Sequence, residues 1–516
     1  MILLAASLLC SLAQIQAETA VRVPYTPKPL VVVTFDVEDY ITPESEGIDD
    51  IPLWLAEIMS EEGVTGTFFV IGEKARSLER RGRGDVIAAM ARHEVGSHTN
   101  YGSIHPTVME ELEEAGWEDG VRRMAERESA GLADLARIFG VPVTIRGRHG
   151  GCYGPQLVAA LGRMRASYEG SPVSLPGHDV VWFANALNFS SEYAFDEDSY
   201  HRDDLFEPAF ERFKDELPGL TRNAEVVSLF AGHPTKIRAE EFWDFNYYCG
   251  ENPTPEEWVA PLLWPAETMI TAKENFRRLM RYLRSRNDIE IATYRTVMPL
   301  YSRQKESLTR DELLDIAAET PRAGTLSCTD DFSPAEAFAG MATSISAYAR
   351  RGALPDRLVT QHPLGPTAMP PVQPGAARAT WAEVRDLARQ AEQFLWTHGR
   401  LPASLRTAGG ESGAGWLYAR FSAVYVDLAS GAPSPEYEVP PFDAYPRTNE
   451  RKIVERIEHF RDWPVHRLGL DVSRIVELTR LQLWTLKPAR RLQAEKTSRP
   501  VSEAALSASR SPLEPR

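Results

Sequence analysis

Short apolar runs alternate with stretches of helical periodicity over the first 300 residues of the chain. Residues 30–35 (LVVVTF) and 66–71 (GTFFVI) are continuous β-branched or aromatic runs, typical of parallel strands buried on both faces. Apolar residues at helical spacing follow at 51–62 and 85–92. Further strands are predicted at 95–98, 143–146, 180–183, 226–231 and 289–293. Because alternating strands and helices of this length build a closed parallel sheet, we predict an α/β fold with a (β/α) barrel over residues 29–301.

The second half of the chain is dominated by helical periodicity. A polar segment at 301–308 (YSRQKESL) separates it from the predicted barrel. The predicted helices cover residues 309–320, 334–350, 381–396, 453–460 and 472–486. We therefore predict a smaller, mostly helical domain at 306–486. Residues 487–516 are rich in Ser, Pro, Arg and Ala and poor in apolar side chains, which predicts a disordered tail.

The N-terminus begins with a predominantly apolar run at residues 2–13. This run is shorter than the roughly 20 residues that a membrane-spanning helix requires. A polar stretch and Ala17 follow, which is the pattern of a secretory signal peptide at residues 1–17. No basic residue precedes Arg22, so an apolar N-terminus without a signal function is the alternative. We predict export to the periplasm, cell envelope or extracellular space, without a stable membrane span.

Composition and charge limit the classes of partner. Hydrophobic residues make up 43% and charged residues 25% of the chain, which is typical of a globular protein. The net charge is −16 and no long basic run occurs, so we predict no nucleic-acid partner, because affinity for phosphate backbones depends on clustered Lys and Arg. Four cysteines without a CxxC pair argue against a disulfide scaffold or a structural zinc ribbon. The pattern leaves the oligomeric state open.

Polar residues with catalytic or metal-binding side chains follow several of the predicted strands. They are Asp36, Glu38 and Asp39, His98 and His105, Arg146, Arg148 and His149, and His233. Isolated residues of this kind are often helix caps or hydrogen-bonded loop residues. In a parallel barrel, however, the carboxyl ends of the strands meet at one face, where the active site lies. We therefore expect these side chains to converge.

These residues stand in motifs that resemble those of the polysaccharide deacetylases of the NodB-homology family. The four motifs are TFDVEDY (34–40), GSHTNYGSIHP (96–106), IRGRHGGCYGP (145–155) and SLFAGHP (228–234). Their order and approximate spacing agree with the family over residues 29–301. The resemblance implies a distorted (β/α) barrel and a metal-dependent hydrolase that removes N-acetyl or similar acyl groups from an amino-sugar polysaccharide, such as peptidoglycan or a chitin-like glycan.

The resemblance also implies roles for individual residues. In the family, one carboxylate of the first motif is the general base and a second binds the metal. Since successive side chains of a strand alternate, Asp36 and Glu38 lie on the same side, and we assign Asp36 as base and Glu38 as ligand, with Asp39 as the alternative ligand. His98 and His105 are then the other two ligands. Arg146 is expected to hold Asp36, and His233 to be the general acid.

The second motif departs from the family pattern. The position four residues after His98, where the second histidine ligand is usual, is Gly102. On a regular helix His98 and His105 are roughly 10 Å apart, too far to share one ion, so residues 100–104 must loop out for His105 to reach the site. The expected cofactor is a divalent metal, zinc first, with cobalt or nickel possible. A metal-free, glycan-binding member of the fold and an amide hydrolase for a small non-sugar substrate are the alternatives.

Three aromatic features have two interpretations each. Residues 242–248 (FWDFNYY) could form the rim of a substrate cleft or pack over the barrel, and Trp182 could line a sugar-binding wall or lie in the core. Residues 394–405 (FLWTHGRLPASL) are similar to a cell-wall-binding repeat, although a helix ending at Gly399 explains them equally well.

Overall fold

The computed structural model describes residues 27–302, 304–370, 378–407, 410–438 and 442–492. The predicted signal peptide at 1–17 and most of the predicted tail lie outside these ranges. Among the helices within them, none has the length and apolar character needed to cross a membrane.

The first part of the chain alternates strands and helices, as predicted. Strands β1 to β10 are Leu30–Val37, Gly66–Val70, Glu94–Ser97, Ile145–Arg146, Ser167–Glu169, Val180–Phe183, Ala186–Phe189, Glu192–Ala194, Val226–Gly232 and Glu290–Ile291. Helices α1 to α10 are Asp50–Glu61, Gly72–Arg80, Gly84–Ala91, Val108–Leu112, Trp117–Phe139, Pro155–Arg163, Asp203–Asn223, Pro234–Arg238, Thr268–Ser285 and Tyr294–Tyr301.

The second part is mostly helical, with three short strand pairs. Strands β11 to β17 are Ser307–Thr309, Arg357–Val359, Arg378–Thr380, Ser404–Thr407, Gly410–Gly413, Glu436–Glu438 and Lys487–Pro488. Helices α11 to α16 are Arg310–Ala323, Pro334–Arg351, Trp381–His398, Ala414–Ser430, Glu450–Arg461 and Ser473–Gln482. Helix α13 ends at His398 with Gly399 in a left-handed conformation, which favours the helix-end interpretation of residues 394–405.

One 11-stranded sheet organises the first part, in the order β17-β6-β7-β5-β4-β3-β2-β1-β9-β8, with β10 pairing to the start of β1. All pairs are parallel except β6 with β7 and with β17. Apolar side chains from distant strands, such as Leu30, Phe69, Ile145 and Phe189, form one inner cluster, so the sheet is curled. In the described residues its path does not close into a ring. The predicted distorted (β/α) barrel is confirmed in this open, curled form.

Alternation along β1 separates an inner from an outer face. Val31, Val33 and Phe35 pack outward against the helices, whereas Leu30 and Val32 pack inward. Further along the inner face, Thr34 and Asp36 line a cleft at the carboxyl end of the strand. The strand therefore contributes its first residues to the core and its carboxyl end to the site.

The C-terminal half divides differently from the predicted domain at 306–486. Helices α11 to α14 share a separate apolar core. Helices α15 and α16 instead bury Ile453, Ile457 and Ile475 in a cluster with Leu157 and Tyr168 of the barrel part. The expectation of a tail from residue 487 is wrong at its start, because Lys487–Pro488 pairs with β6. A local pattern of apolar residues does not reveal which layer a helix packs against, and this explains the difference.

Candidate active site

The candidate site is a cleft of about 300 Å³ at the carboxyl ends of β1, β5 and β9. Its lining residues are Thr34, Asp36, Glu38, Arg148, His149, Gly150, Glu169, Glu192, Phe230, His233, Phe242, Asp244, Tyr248, Trp463, Pro464 and Val465. The cleft therefore combines strand-end residues of three predicted motifs with residues that come much later in the chain.

Asp36 and Glu38 lie together in this cleft, as the alternation of β1 predicts. Oδ2 of Asp36 lies 3.4 Å from Nε2 of His98 and 3.8 Å from Nε2 of His233. Burial raises the pKa of Asp36 well above its usual range, while the neighbouring His233 lowers it. Asp36 thus has a cationic partner on one side and an open cleft on the other.

Glu38 is the point at which the imidazoles meet. Its Oε1 lies 2.9 Å from Nε2 of His98, 3.8 Å from Nε2 of His149 and 3.9 Å from Nε2 of His233. Its Oε2 accepts a hydrogen bond of 2.7 Å from the indole N–H of Trp243. One oxygen is therefore held by a neutral donor while the other faces ring nitrogens.

Within the part of the chain that the structure describes, two groups of side chains have ligand atoms within 4.8 Å of one another: Glu38 with His98 and His149, and Asp36 with Glu38 and His233. The first group is buried throughout and offers two imidazole nitrogens and one carboxylate, the donor set of many catalytic zinc sites. Burial lowers the pKa of His98 well below its usual range and that of His149 to about 3, so both rings are neutral, the form that binds metal. Their Nδ1 atoms have no hydrogen-bond partner among the described residues. By donor chemistry, the first group fits a divalent ion.

His105 does not join this group, in contrast to the expectation from the second motif. Its Nδ1–H donates to Glu110 at 2.7 Å and its Nε2–H donates to the carbonyl oxygen of Tyr247 at 2.6 Å. Both ring nitrogens of His105 are thus held by acceptors outside the Glu38 group, and His105 is not among the residues whose ligand atoms gather there. Burial lowers the pKa of His105, but the hydrogen bonds to Glu110 and to the backbone of Tyr247 outweigh this effect, so the pKa is raised overall.

Trp243 explains why the loop takes this course. Gly102 has φ of +66°, and a Cβ atom there would lie 3.0 Å from Ile71 and 3.5 Å from the ring of Trp243. The space beside Gly102 is thus filled by the indole that also binds Glu38. A histidine four residues after His98 would not fit this packing.

Arg146 pairs with Glu128 and not with Asp36. Its Nε lies 3.4 Å from a carboxylate oxygen of Glu128 on helix α5, and its guanidinium lies 5.7 Å from the ring centre of Tyr168. Its neighbour Ile145 packs into the inner cluster, so alternation turns Arg146 outward to the helix layer. The expected contact between Arg146 and Asp36 is therefore wrong.

Asp39, the alternative ligand, stabilises a turn. Oδ1 accepts hydrogen bonds from the backbone N–H groups of Ile41 and Thr42. Oδ2 accepts from the hydroxyls of Thr42 at 2.6 Å and Thr235 at 3.2 Å. Asp39 belongs to neither group of potential ligands, whereas Glu38 belongs to both, which favours Glu38 over Asp39 as the ligand.

His233 follows β9 and is oriented by Glu197, a residue that the motif analysis missed. Nδ1 of His233 lies 2.9 Å from Oε2 of Glu197, and Gly232 lets the two approach, because a Cβ there would lie 2.8 Å from Cβ of Glu197. Burial lowers the pKa of His233, but the charge and hydrogen bond of Glu197 raise it to about 10 overall. The rings of Phe230 and Phe242 flank the imidazole at 4.8 and 4.7 Å.

The part of the cleft beyond Asp36 is acidic. Burial, together with the charge of Glu192, raises the pKa of Glu169 to about 8. Arg148 lies 3.5 Å from Glu192 and donates to the backbone carbonyl of Gly170 at 3.2 Å. Carboxylates thus outnumber cations in the lining.

The aromatic stretch at 242–248 both lines the cleft and packs beneath it, so each of the two interpretations holds for part of it. Phe242 and Tyr248 line the cleft, whereas Trp243 and Tyr247 are buried beneath it. Trp182 lines a different cavity, with Asn185 and Met298.

Comparisons with known proteins give matches among solved structures. No protein-family model and no curated protein matches the chain. A Mycobacterium smegmatis protein assigned as a polysaccharide deacetylase matches at 14% identity and a TM-score of 0.34, over 54% of this chain and 92% of that one. A family 4 acetyl xylan esterase from Clostridium thermocellum, solved with cobalt, matches at 14% and 0.29, over 53% and 92%. A CE4 family pseudoenzyme from Bacillus anthracis matches at 10% and 0.30, over 53% and 66%.

The fold assignment itself rests on the sheet order of this chain. Parallel strands β1 to β5 and β9, with helices on their outer face, agree with the (β/α) architecture that the resemblance to polysaccharide deacetylases implies.

Proposed function

We propose that this protein is a divalent-metal-dependent hydrolase that removes N-acetyl or similar acyl groups from an amino-sugar polysaccharide. The observation that carries the proposal is the meeting of Asp36, Glu38, His149 and His233 in one cleft, with His98 buried 2.9 Å behind Glu38. Hydrolysis of an unactivated amide requires a base for water, an acid for the leaving nitrogen and an electrophile for the carbonyl. The chain offers residues of the right type for each of these tasks.

We assign Glu38, His98 and His149 as the metal ligands, with zinc, cobalt or nickel as the candidate ions. Two imidazoles and one carboxylate leave coordination positions free for water and substrate. When bound, such an ion polarises a carbonyl group and lowers the pKa of water. His149 takes the role that the second motif leaves unfilled at Gly102.

The chain's own side chains then carry the protons. Asp36, at the open side of the cleft, accepts a proton from the attacking water as the new carbon–oxygen bond forms. His233, kept protonated by Glu197, gives its proton to the nitrogen as the carbon–nitrogen bond breaks. Phe230 and Phe242 pack against both sides of the imidazole and shield that proton from bulk water. The products are a carboxylic acid and a free amine.

The proposal extends to the setting of the reaction. The apolar run at residues 2–13 supports export, and a polymeric glycan of the cell envelope is a substrate that an exported enzyme meets. The carboxyl groups of the lining, among them Asp36 and Glu169 with raised pKa values, suit hydrogen bonds to the hydroxyl groups of a neutral glycan.

The test is release of acetate from N-acetylated glycan oligomers by the metal-loaded protein. Asp36→Asn should lower kcat about 10²- to 10⁴-fold, as expected for loss of a general base, and should keep about one ion per chain. Asp204→Asn, an exposed carboxylate paired only to Arg202, is the matched control and should keep full activity. Full activity in Asp36→Asn would refute the assignment of the base.

A metal-free, glycan-binding protein of the same fold is the second candidate. The observation in its favour is that Glu38 already has hydrogen-bonding partners on both oxygens, His98 and Trp243. Glycan binding without acetate release, in protein that takes up no metal on reconstitution, would support it.

A further inference from the structure

One wall of the cleft comes from the C-terminal part of the chain. Trp463, Pro464 and Val465 follow helix α15 directly and line the same cleft as Asp36 and His233. Trp463 keeps 39% of its surface exposed, whereas Glu38, His149 and Val465 of the same lining are buried. An indole that remains exposed inside a cleft presents apolar surface to whatever binds there.

This wall is held rigidly. The backbone N–H of Trp463 donates to Phe460, and its carbonyl accepts from His466, at 3.2 and 3.1 Å. The N–H of Cys249 donates to the carbonyl of Pro464 at 2.8 Å. The hydroxyl of Thr107 lies 2.9 Å from Nδ1 of His466. Because these bonds connect the wall to two other loops of the site, the backbone that carries Trp463 is in place before any ligand arrives.

The wall is also joined to the loop that carries His149. The guanidinium of Arg148 lies 4.5 Å from the ring centre of Phe460 and 5.8 Å from that of Trp463. Gly151 allows this close approach, because a Cβ there would overlap the carbonyl oxygen of Phe460. The position of Trp463 is therefore set relative to the reacting groups themselves.

We propose that Trp463 is a stacking platform for a pyranose ring of the substrate, in a subsite next to the acyl-transfer centre. The proposal rests on the proposed function and names a residue that fixes substrate choice. A pyranose ring of an amino sugar has an apolar face of C–H groups and a polar rim. The indole suits that face, as aromatic side chains do for apolar ligand surfaces generally, and Glu169, Glu192 and Asp244 suit the hydroxyl rim.

The experiment uses the full chain and the tetramer of N-acetylglucosamine. Trp463→Ala should raise KM for the tetramer about tenfold, with the change falling mainly on KM and not on kcat. Trp463→Phe should restore most of the loss, because a smaller ring still stacks. Trp396→Ala, an 86% exposed tryptophan on helix α13 outside the cleft, is the matched control and should behave as wild type. Unchanged KM in Trp463→Ala would overturn the inference.

Binding without turnover separates the inference from the proposed function. Affinity of the tetramer for Asp36→Asn, measured by calorimetry, should fall about tenfold when Trp463→Ala is added. That result, combined with no acetate release from wild type, would refute the hydrolase and leave the sugar platform standing. Equal affinity with and without Trp463 would refute the platform even in an active hydrolase.

Discussion

Glu38 organises the site at the level of single residues. Its two oxygens face different neighbours, ring nitrogens on one side and the indole N–H of Trp243 on the other. His149 reaches this point from the loop after β4, while His105 is held elsewhere by Glu110. The second motif has Gly102 at the position of its usual second histidine. His149, from another loop, completes the group of two histidines and one carboxylate instead.

Much of this arrangement could be predicted from the sequence, and one part could not. The proximity of Asp36 and Glu38 follows from alternation in β1, and that of His98 and His233 from parallel strands ending at one edge. Arg146 was expected in the site from its motif position and His105 as the next histidine after Gly102, but the sequence does not specify the rotamer or the loop path. The signal for His149 was present, since it also follows a predicted strand.

The pairing of His233 with Glu197 predicts the pH dependence of activity. The general acid must be protonated, so activity falls as pH rises through the pKa of His233. Glu197→Gln removes the charge that raises this pKa, so the alkaline fall in kcat/KM should move to lower pH by more than one unit. Asp198→Asn, the neighbouring carboxylate that pairs with Lys236, should leave it in place. An unshifted profile in Glu197→Gln would show that Glu197 does not control the acid.

At the level of elements, length and polarity decided what the sequence could predict. Strands β1, β2 and β9 are dominated by buried apolar residues and were predicted closely. Strands β5 and β8 have three residues each, with Glu at one end, and give no periodic signal. Their pairing depends on the neighbouring strands, so only the folded sheet defines them.

The contact between Gly151 and helix α15 predicts a measurable stability difference. Gly151→Ala introduces a Cβ that overlaps the carbonyl of Phe460, so it should destabilise the fold by about 1–3 kcal/mol. Gly219→Ala is the matched control, because this glycine lies inside helix α7 with open space around it, and the change should stabilise by up to about 1 kcal/mol. Chemical denaturation measures both. Equal midpoints for the two variants would contradict the tight packing at Gly151.

On the scale of the whole molecule, the last part of the chain shares an apolar cluster and the cleft with the barrel part. Helices α15 and α16 pack against the barrel part, β17 completes its sheet, and Trp463 lines its site. From the sequence we predicted an accessory domain here. Periodicity reports only local structure, and it does not reveal contacts between residues 300 positions apart. The segment from α15 to β17 thus packs with the barrel part and contributes to its cleft, whereas helices α11 to α14 keep a core of their own.

The proposed hydrolase depends on the binding of one ion by Glu38, His98 and His149 without His105. Metal content per chain after equilibrium dialysis against zinc tests it most directly, in wild type, His149→Gln and His105→Gln. We predict about one ion per chain in wild type and in His105→Gln, and loss of most of the metal in His149→Gln, since removal of one ligand of three weakens the site strongly. This ligand set would be wrong if His149→Gln retained the ion while His105→Gln lost it. It would also be wrong if the wild type bound no ion.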